Sequence, residues 1–221
     1  MATNVRCAGG LIEGVVLRIL KLDTCGDEVT GTGSAQIVMD GFMKVAANPQ
    51  YNTGTRQNTR KANGKLCLNF KVDDQFTNFE LTNDFCVWHP GVPVNTIQAR
   101  LLTGTESPTG TGFAVNEFLD MPHWSLEVWQ PPPQQCDSTG IARYPYHAWP
   151  HIADGKLGQF EISAENQTTL QIMGVTRAGS PLWTAGATYL GTNPVSQGDH
   201  YLYNLQNTAP PPSACIIADY P

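Results

Sequence analysis

Apolar and polar residues alternate along much of this chain at every second position, the spacing of strands with two unlike faces. The cleanest case spans residues 65–72, where Leu66, Leu68, Phe70 and Val72 alternate with Lys65, Cys67, Asn69 and Lys71. Such a row predicts a strand with one face buried and the other wet or turned to a neighbour. Residues 14–23 read as a first strand, ending at the turn-like Thr24-Cys25-Gly26-Asp27, and residues 35–47 as a second. Phe79, Leu81, Phe85 and Val87 mark a fourth strand. Further strands are predicted over 112–116, 124–130, 144–149, 158–163, 169–175 and 200–205, with Gly or Pro clusters in nearly every gap.

One helix interrupts the series, at about 90–102. Val94, Ile97 and Leu101 share a face there, and Pro93 suits a first turn. The pattern predicts an all-β chain: a single β-sandwich domain over residues 1–206 with this short flanking helix. Residues 48–64 read as a long, polar inter-strand loop, and long structureless loops in compact domains are usually functional or disordered. Residues 207–221, with Pro210-Pro211-Pro212, read as an extended C-terminal arm.

Composition agrees with the pattern. Across 221 residues there are 21 Gly and 16 Pro and only 14% charged side chains, which favours strands and turns over helices. The charge is unevenly placed. Lys44, Arg56, Arg60, Lys61, Lys65 and Lys71 give the stretch 44–71 a charge of +6 with no acid, which leaves −12 on the remainder of a −6 chain. Net charge governs association more than fold, so this segregation points to a charged partner, a copy of the chain included. The acidic remainder argues against a protein that grips nucleic acid. Arg18 and Lys21 break the apolar run at 15–22, so no export signal is read there, and no stretch is long enough to span a bilayer. Those features predict a chain made in a cytosol, with Cys7, Cys25, Cys67, Cys86, Cys136 and Cys215 mostly reduced and buried.

Catalytic motifs are lacking: there is no nucleophile elbow, HExxH or phosphate-binding loop, so the chain is not expected to be an enzyme or to need a cofactor. His147 and His151 invite a metal reading, but the intervening Trp149-Pro150 enforces extended backbone, and ordinary polar or stacked histidines fit better. Pairs such as Glu117 with Asp120, or Glu127 with Glu161, read as solvated acids before an acid–base couple. Trp88, Trp124, Trp129, Tyr144, Tyr146, Trp149 and Trp183 would suit either a sugar-stacking platform or a core and subunit interface, the second being favoured.

An ordered series of segments resembles the major tail (tail tube) protein of long, non-contractile-tailed phages infecting actinobacteria. The series begins with Leu22-Asp23-Thr24-Cys25-Gly26, Asp40-Gly41-Phe42-Met43-Lys44-Val45 and Asn63-Gly64-Lys65-Leu66-Cys67. Phe85-Cys86-Val87-Trp88-His89-Pro90 leads into the helix, and Leu126-Glu127-Val128-Trp129 and Thr176-Arg177-Ala178-Gly179-Ser180 follow in order. Thr184-Ala185-Gly186 departs from the glycine-rich run often found there in the family.

The resemblance implies a virion protein, made in the host bacterial cytoplasm. Its hexameric rings would stack into a tube, with sheets joining across subunits, through which DNA passes unheld. Tail terminator, tape measure and distal tail proteins are the implied partners. On this reading Arg56, Arg60 and Lys61 are candidates for contact with the next ring, and Lys65 and Lys71 for a subunit interface. A capsid decoration protein or a carbohydrate-binding module are the alternatives.

Overall fold

The computed structural model describes residues 16–29, 36–40, 42–86, 89–103, 111–115, 117, 122–132, 143–160, 169–184, 186–191 and 195–211. Twelve strands and two short helices run in the order Val16–Leu22 (β1), Gln36–Met39 (β2), Phe42–Asn52 (β3), Arg56–Arg60 (β4), Leu66–Lys71 (β5), Gln75–Phe85 (β6), Gly91–Ile97 (α1), Arg100–Thr103 (β7), Thr111–Ala114 (β8), His123–Trp129 (β9), Tyr144–Leu157 (β10), Leu170–Thr176 (β11), Ala187–Leu190 (α2) and Leu202–Gln206 (β12). The chain is mostly β, as the alternation predicts. Of the earlier expectations, Val87, Trp88, Asn116, Asp120, residues 161–163, Cys7, Cys136, Cys215 and the arm beyond residue 211 lie outside the described residues.

Eight strands form one antiparallel sheet, ordered β2-β1-β9-β10-β11-β6-β3, with β12 pairing the first half of β10. Its two edge strands are consecutive in the chain, separated only by residues 40 and 41. Three peptide steps reach about 11 Å at most, so the sheet must curl until its two edges approach one another. Leu17, Ile19, Met39, Leu81, Phe85, Trp124, Leu126 and Ile172, from both halves, form one continuous core inside the curl, joined by Val92 and Ile97 of α1. A second cluster sits on the other face of the central strands. Trp129, Tyr146 and Ala148 pack there under Trp183, Tyr189 and Leu190 around α2. Both faces of β9 are therefore buried, and all seven of its residues are withdrawn from water.

Three sequence expectations are corrected. The predicted strand 35–47 is two strands, parting at Asp40 to serve opposite edges of the sheet. The helix stops at Ile97 because Gln98 takes a left-handed conformation (φ 52°), and Leu101, counted on the helical face, belongs to the β7–β8 ribbon opposite Phe113. The supposed loop 48–64 is mostly strand. Residues 48–52 complete β3, and β4 follows after three residues. Polar side chains hid this because a strand exposed on both faces has no apolar period to read.

The face of the central strands that packs under α2 carries an ion pair. Arg18 and Glu127 stand directly opposite on β1 and β9, and Arg18 meets the carboxylate at two points, through Nε and through Nη2 at 2.8 Å from Oε1. Tyr146 donates its hydroxyl to the same carboxylate, and the guanidinium lies 5.5 Å over the Trp129 ring. Burial opposes the Arg18 charge, but the Glu127 hydrogen bonds and charge outweigh it and raise the pKa. Burial, then Glu127, pushes the Tyr146 hydroxyl well above the ordinary tyrosine range.

Candidate functional site

The feature that sets this chain apart is a β-arm. The β3–β6 pair continues past the body through Tyr51↔Phe76 and Asn52↔Gln75, and the β4–β5 hairpin extends beyond it. The joint is tight. Gly54 donates its N–H to the Asp74 carboxylate at 2.9 Å, and Val72 donates to the Thr55 carbonyl at 3.1 Å. The Gly54 bond, then the charge of Lys71, holds the Asp74 carboxyl below its ordinary pKa. At the tip, Lys61 and Lys65 are joined by a 2.8 Å backbone bond around a turn in which Gly64 has φ +77°.

Every residue of β4 and β5 is exposed. The alternation read at 65–72 therefore forms its strand, but no face of that strand is buried within the chain. Leu66, Leu68, Phe70 and Val72 are 52%, 49%, 55% and 40% exposed. In the register Thr59↔Leu68 and Gln57↔Phe70 present one face, while Arg56↔Lys71 and Asn58↔Asn69 present the other. Hiding a Leu or Phe from water is worth roughly 1.5–3 kcal/mol, so this row forgoes several kcal/mol while uncovered.

All five predicted site residues lie on this arm. Arg60 and Lys61 lie beside the tip turn with Lys65, which precedes β5, and Arg60 donates to the Gly64 carbonyl at 3.2 Å. Arg56 and Lys71 face each other nearer the joint. Arg56 donates to Asn69 at 3.2 Å, and Lys71 approaches Asp74 at 3.6 Å. Like charges opposite one another destabilise a ladder. The arm thus gathers cations that gain most from an acidic surface outside it.

The body offers aromatic side chains where the arm leaves it. Tyr51, Phe76 and Phe79 touch in series, with centroids 5.8 and 4.9 Å apart, and Phe79 continues to Tyr201 at 5.9 Å. His147 bonds the Tyr201 hydroxyl at 2.7 Å and lies against Tyr203. Sequence reasoning missed these rings because only folding brings 51, 76 and 201 together. By contrast Trp124, Trp129, Trp149 and Trp183, weighed as a sugar platform, are buried in the two cores.

Two of the histidines pair with each other and His200 stands apart. His151 bonds His123 at 2.8 Å and the Ala178 carbonyl at 2.9 Å, whereas His200 bonds Thr176. Among the described residues no cluster of three or more His, Cys, Asp or Glu is placed to hold a metal ion. Glu127, considered as half of an acid–base pair, is instead tied to Arg18. Cys25 and Cys67 are exposed free thiols, contrary to the buried reading, and Cys86 is half-buried. Among the described residues no helix is long and apolar enough to cross a membrane. Compared with known proteins, the chain matches no family model and no curated protein.

Proposed function

We propose that this chain is a structural subunit that polymerises with itself into a tube, the tail tube of a long-tailed phage. The observation that carries the reading is the arm: a hairpin exposed throughout, with an apolar row and the cations Arg56, Arg60, Lys61, Lys65 and Lys71, on an otherwise acidic chain. A soluble monomer gains nothing from such an element, whereas a neighbouring copy supplies both an apolar and an acidic surface.

The sheet supports the same reading. Among the described residues the outer edges of β2 and of the eleven-residue β3 carry no partner strand. An unpaired edge is a template for strand addition, and rings of copies would satisfy it by joining sheets across subunits. In this proposal the β-sandwich arrangement of the family forms from the curled sheet, six copies close a ring, and the arm reaches the adjacent ring.

Magnitudes assign the parts. Exposed ion pairs contribute roughly 0–1 kcal/mol each, less than one well-covered Leu or Phe. The apolar row therefore supplies affinity, and Arg56, Arg60 and Lys61 set register and polarity. A wall drawn from the acidic remainder would let DNA pass unheld, since captured phosphates would only retard it. The protein does no chemistry in this role; terminator, tape measure and distal tail proteins are its partners in the virion. Negative-stain microscopy of the concentrated protein tests the reading. Tubes of constant diameter support it, and single particles or closed shells contradict it.

A further inference from the structure

We propose that the aromatic strip at the base of the arm is the seat for the β4–β5 arm of a second copy of this chain. The inference rests on the self-assembly reading above and names the surface that receives the arm. The strip runs through Tyr51, Phe76, Phe79, Tyr201 and Tyr203, drawn from three separate parts of the sequence. Much of it is open to solvent: Tyr51 is 59%, Phe76 39% and Tyr203 57% exposed, while Phe79 is half-buried against the main core. Aromatic side chains grouped in this way are what protein interfaces concentrate at their centres.

The ring geometry selects the occupant. Tyr51 and Phe76 meet at 75°, Phe76 and Phe79 at 53°, and Phe79 and Tyr201 at 63°. Rings inclined so steeply to one another give a ridged surface from Tyr51 to Tyr201, not a single flat platform. Such ridges accept the branched and aromatic side chains of another strand, and Leu68 and Phe70 on the arm are of that kind and uncovered. The chain's own arm is not that occupant, because β4 and β5 are exposed at every residue.

Charge points the same way. The arm bears cations and no acid between residues 44 and 71, whereas the rest of the chain that would receive it is acidic, at −12. Arg and Lys also settle over tyrosine rings, and Tyr51 and Tyr203 are both exposed. The strip begins on β3, whose outer edge is unpaired among the described residues, so an arm seated there continues the same unpartnered surface.

The arm carries its own probe in the exposed thiol of Cys67. Tyr203→Cys places a second thiol on the strip at a solvent-facing position. Cys67 lies on the face of the arm opposite Leu66 and Leu68, so the full-length variant, concentrated and treated with a bis-maleimide whose spacer exceeds the thickness of the arm, is expected to yield covalent multimers whose digest contains a linkage between Cys67 and the thiol introduced at position 203. That linkage is lost when Cys67→Ser is added. A Tyr203→Cys protein that stays folded and monomeric while the natural chain assembles also supports the strip as the seat. Assembly of Tyr203→Cys without the linkage overturns this inference and leaves self-assembly standing. A natural chain that stays monomeric at high concentration overturns both.

Discussion

Gly54 lies so close to Val72 that a Cβ at residue 54 would come within 1.7 Å of the Val72 carbonyl oxygen. The arm leaves the body at this contact, so the direction of the arm depends on a missing side chain. Gly54→Ala must push the strands apart and break the Val72–Thr55 bond of 3.1 Å. Since neither core reaches this point, the melting temperature of the body is expected to stay within a few degrees of the parent while assembly falls sharply. Circular dichroism melting and sedimentation check the two halves. A variant that assembles normally would show that the joint does not direct the arm.

Apolar substitutions on the arm should act on association and not on folding. Leu68 and Phe70 are about half exposed and lie outside both cores. The double change Leu68→Ser/Phe70→Ser is expected to leave urea unfolding of the subunit unchanged. It should raise the concentration needed for assembly by at least about tenfold, the equivalent of roughly 1.4 kcal/mol for the two side chains together. Light scattering against concentration measures this, and an unchanged threshold would remove the apolar row from the interface.

The Arg18–Glu127 pair holds the sheet from within. Removing one partner leaves a buried charge, so Glu127→Leu is expected to cost roughly 3–5 kcal/mol, whereas the double change Arg18→Met/Glu127→Leu should recover most of the loss. Urea midpoints of the single and double variants decide it. A double variant as weak as the single one would mean that packing, and not the unpaired charge, is responsible.

Acid should loosen the fold. Burial lowers the pKa of all five histidines, His89, His123, His147, His151 and His200, below the ordinary 6.5. As pH falls the unfolded chain takes up protons first, so stability from these groups is complete above about 6.5 and is lost as pH drops through the lower native values. Asp23, Asp27 and Asp154 oppose the effect around the His123–His151 pair, and Arg177 adds to it. Urea midpoints measured from about pH 7.5 down to pH 5 should decline steadily. A flat profile would show that these imidazoles are solvated.

Much of the fold was legible in alternation, because strands with one buried face repeat every two residues, as β11 and the second half of β6 do. The arm was legible only by half. Leu66, Leu68 and Phe70 announced a strand, but periodicity does not say whether an apolar face meets its own chain or another. Strand β4 was hidden, since Gln57, Asn58 and Thr59 have no apolar side to betray it. The buried pair was equally hidden: Arg18 looked like a break in an apolar run, and its partner lies 109 residues away. The five basic residues stood out by charge and drew a proposed role only from the family resemblance, while the strip came into view only once residues 51, 76 and 201 were brought together.

Sedimentation velocity with negative-stain imaging tests the central claim most directly. The natural chain is run beside Arg56→Glu/Arg60→Glu/Lys61→Glu at the same concentration. These three residues are exposed and outside both cores, so the reversed protein should fold as the parent does. The prediction is stacked rings or tubes from the natural chain and folded single subunits from the reversed one. Equal tubes from both, or single subunits from both, would contradict it.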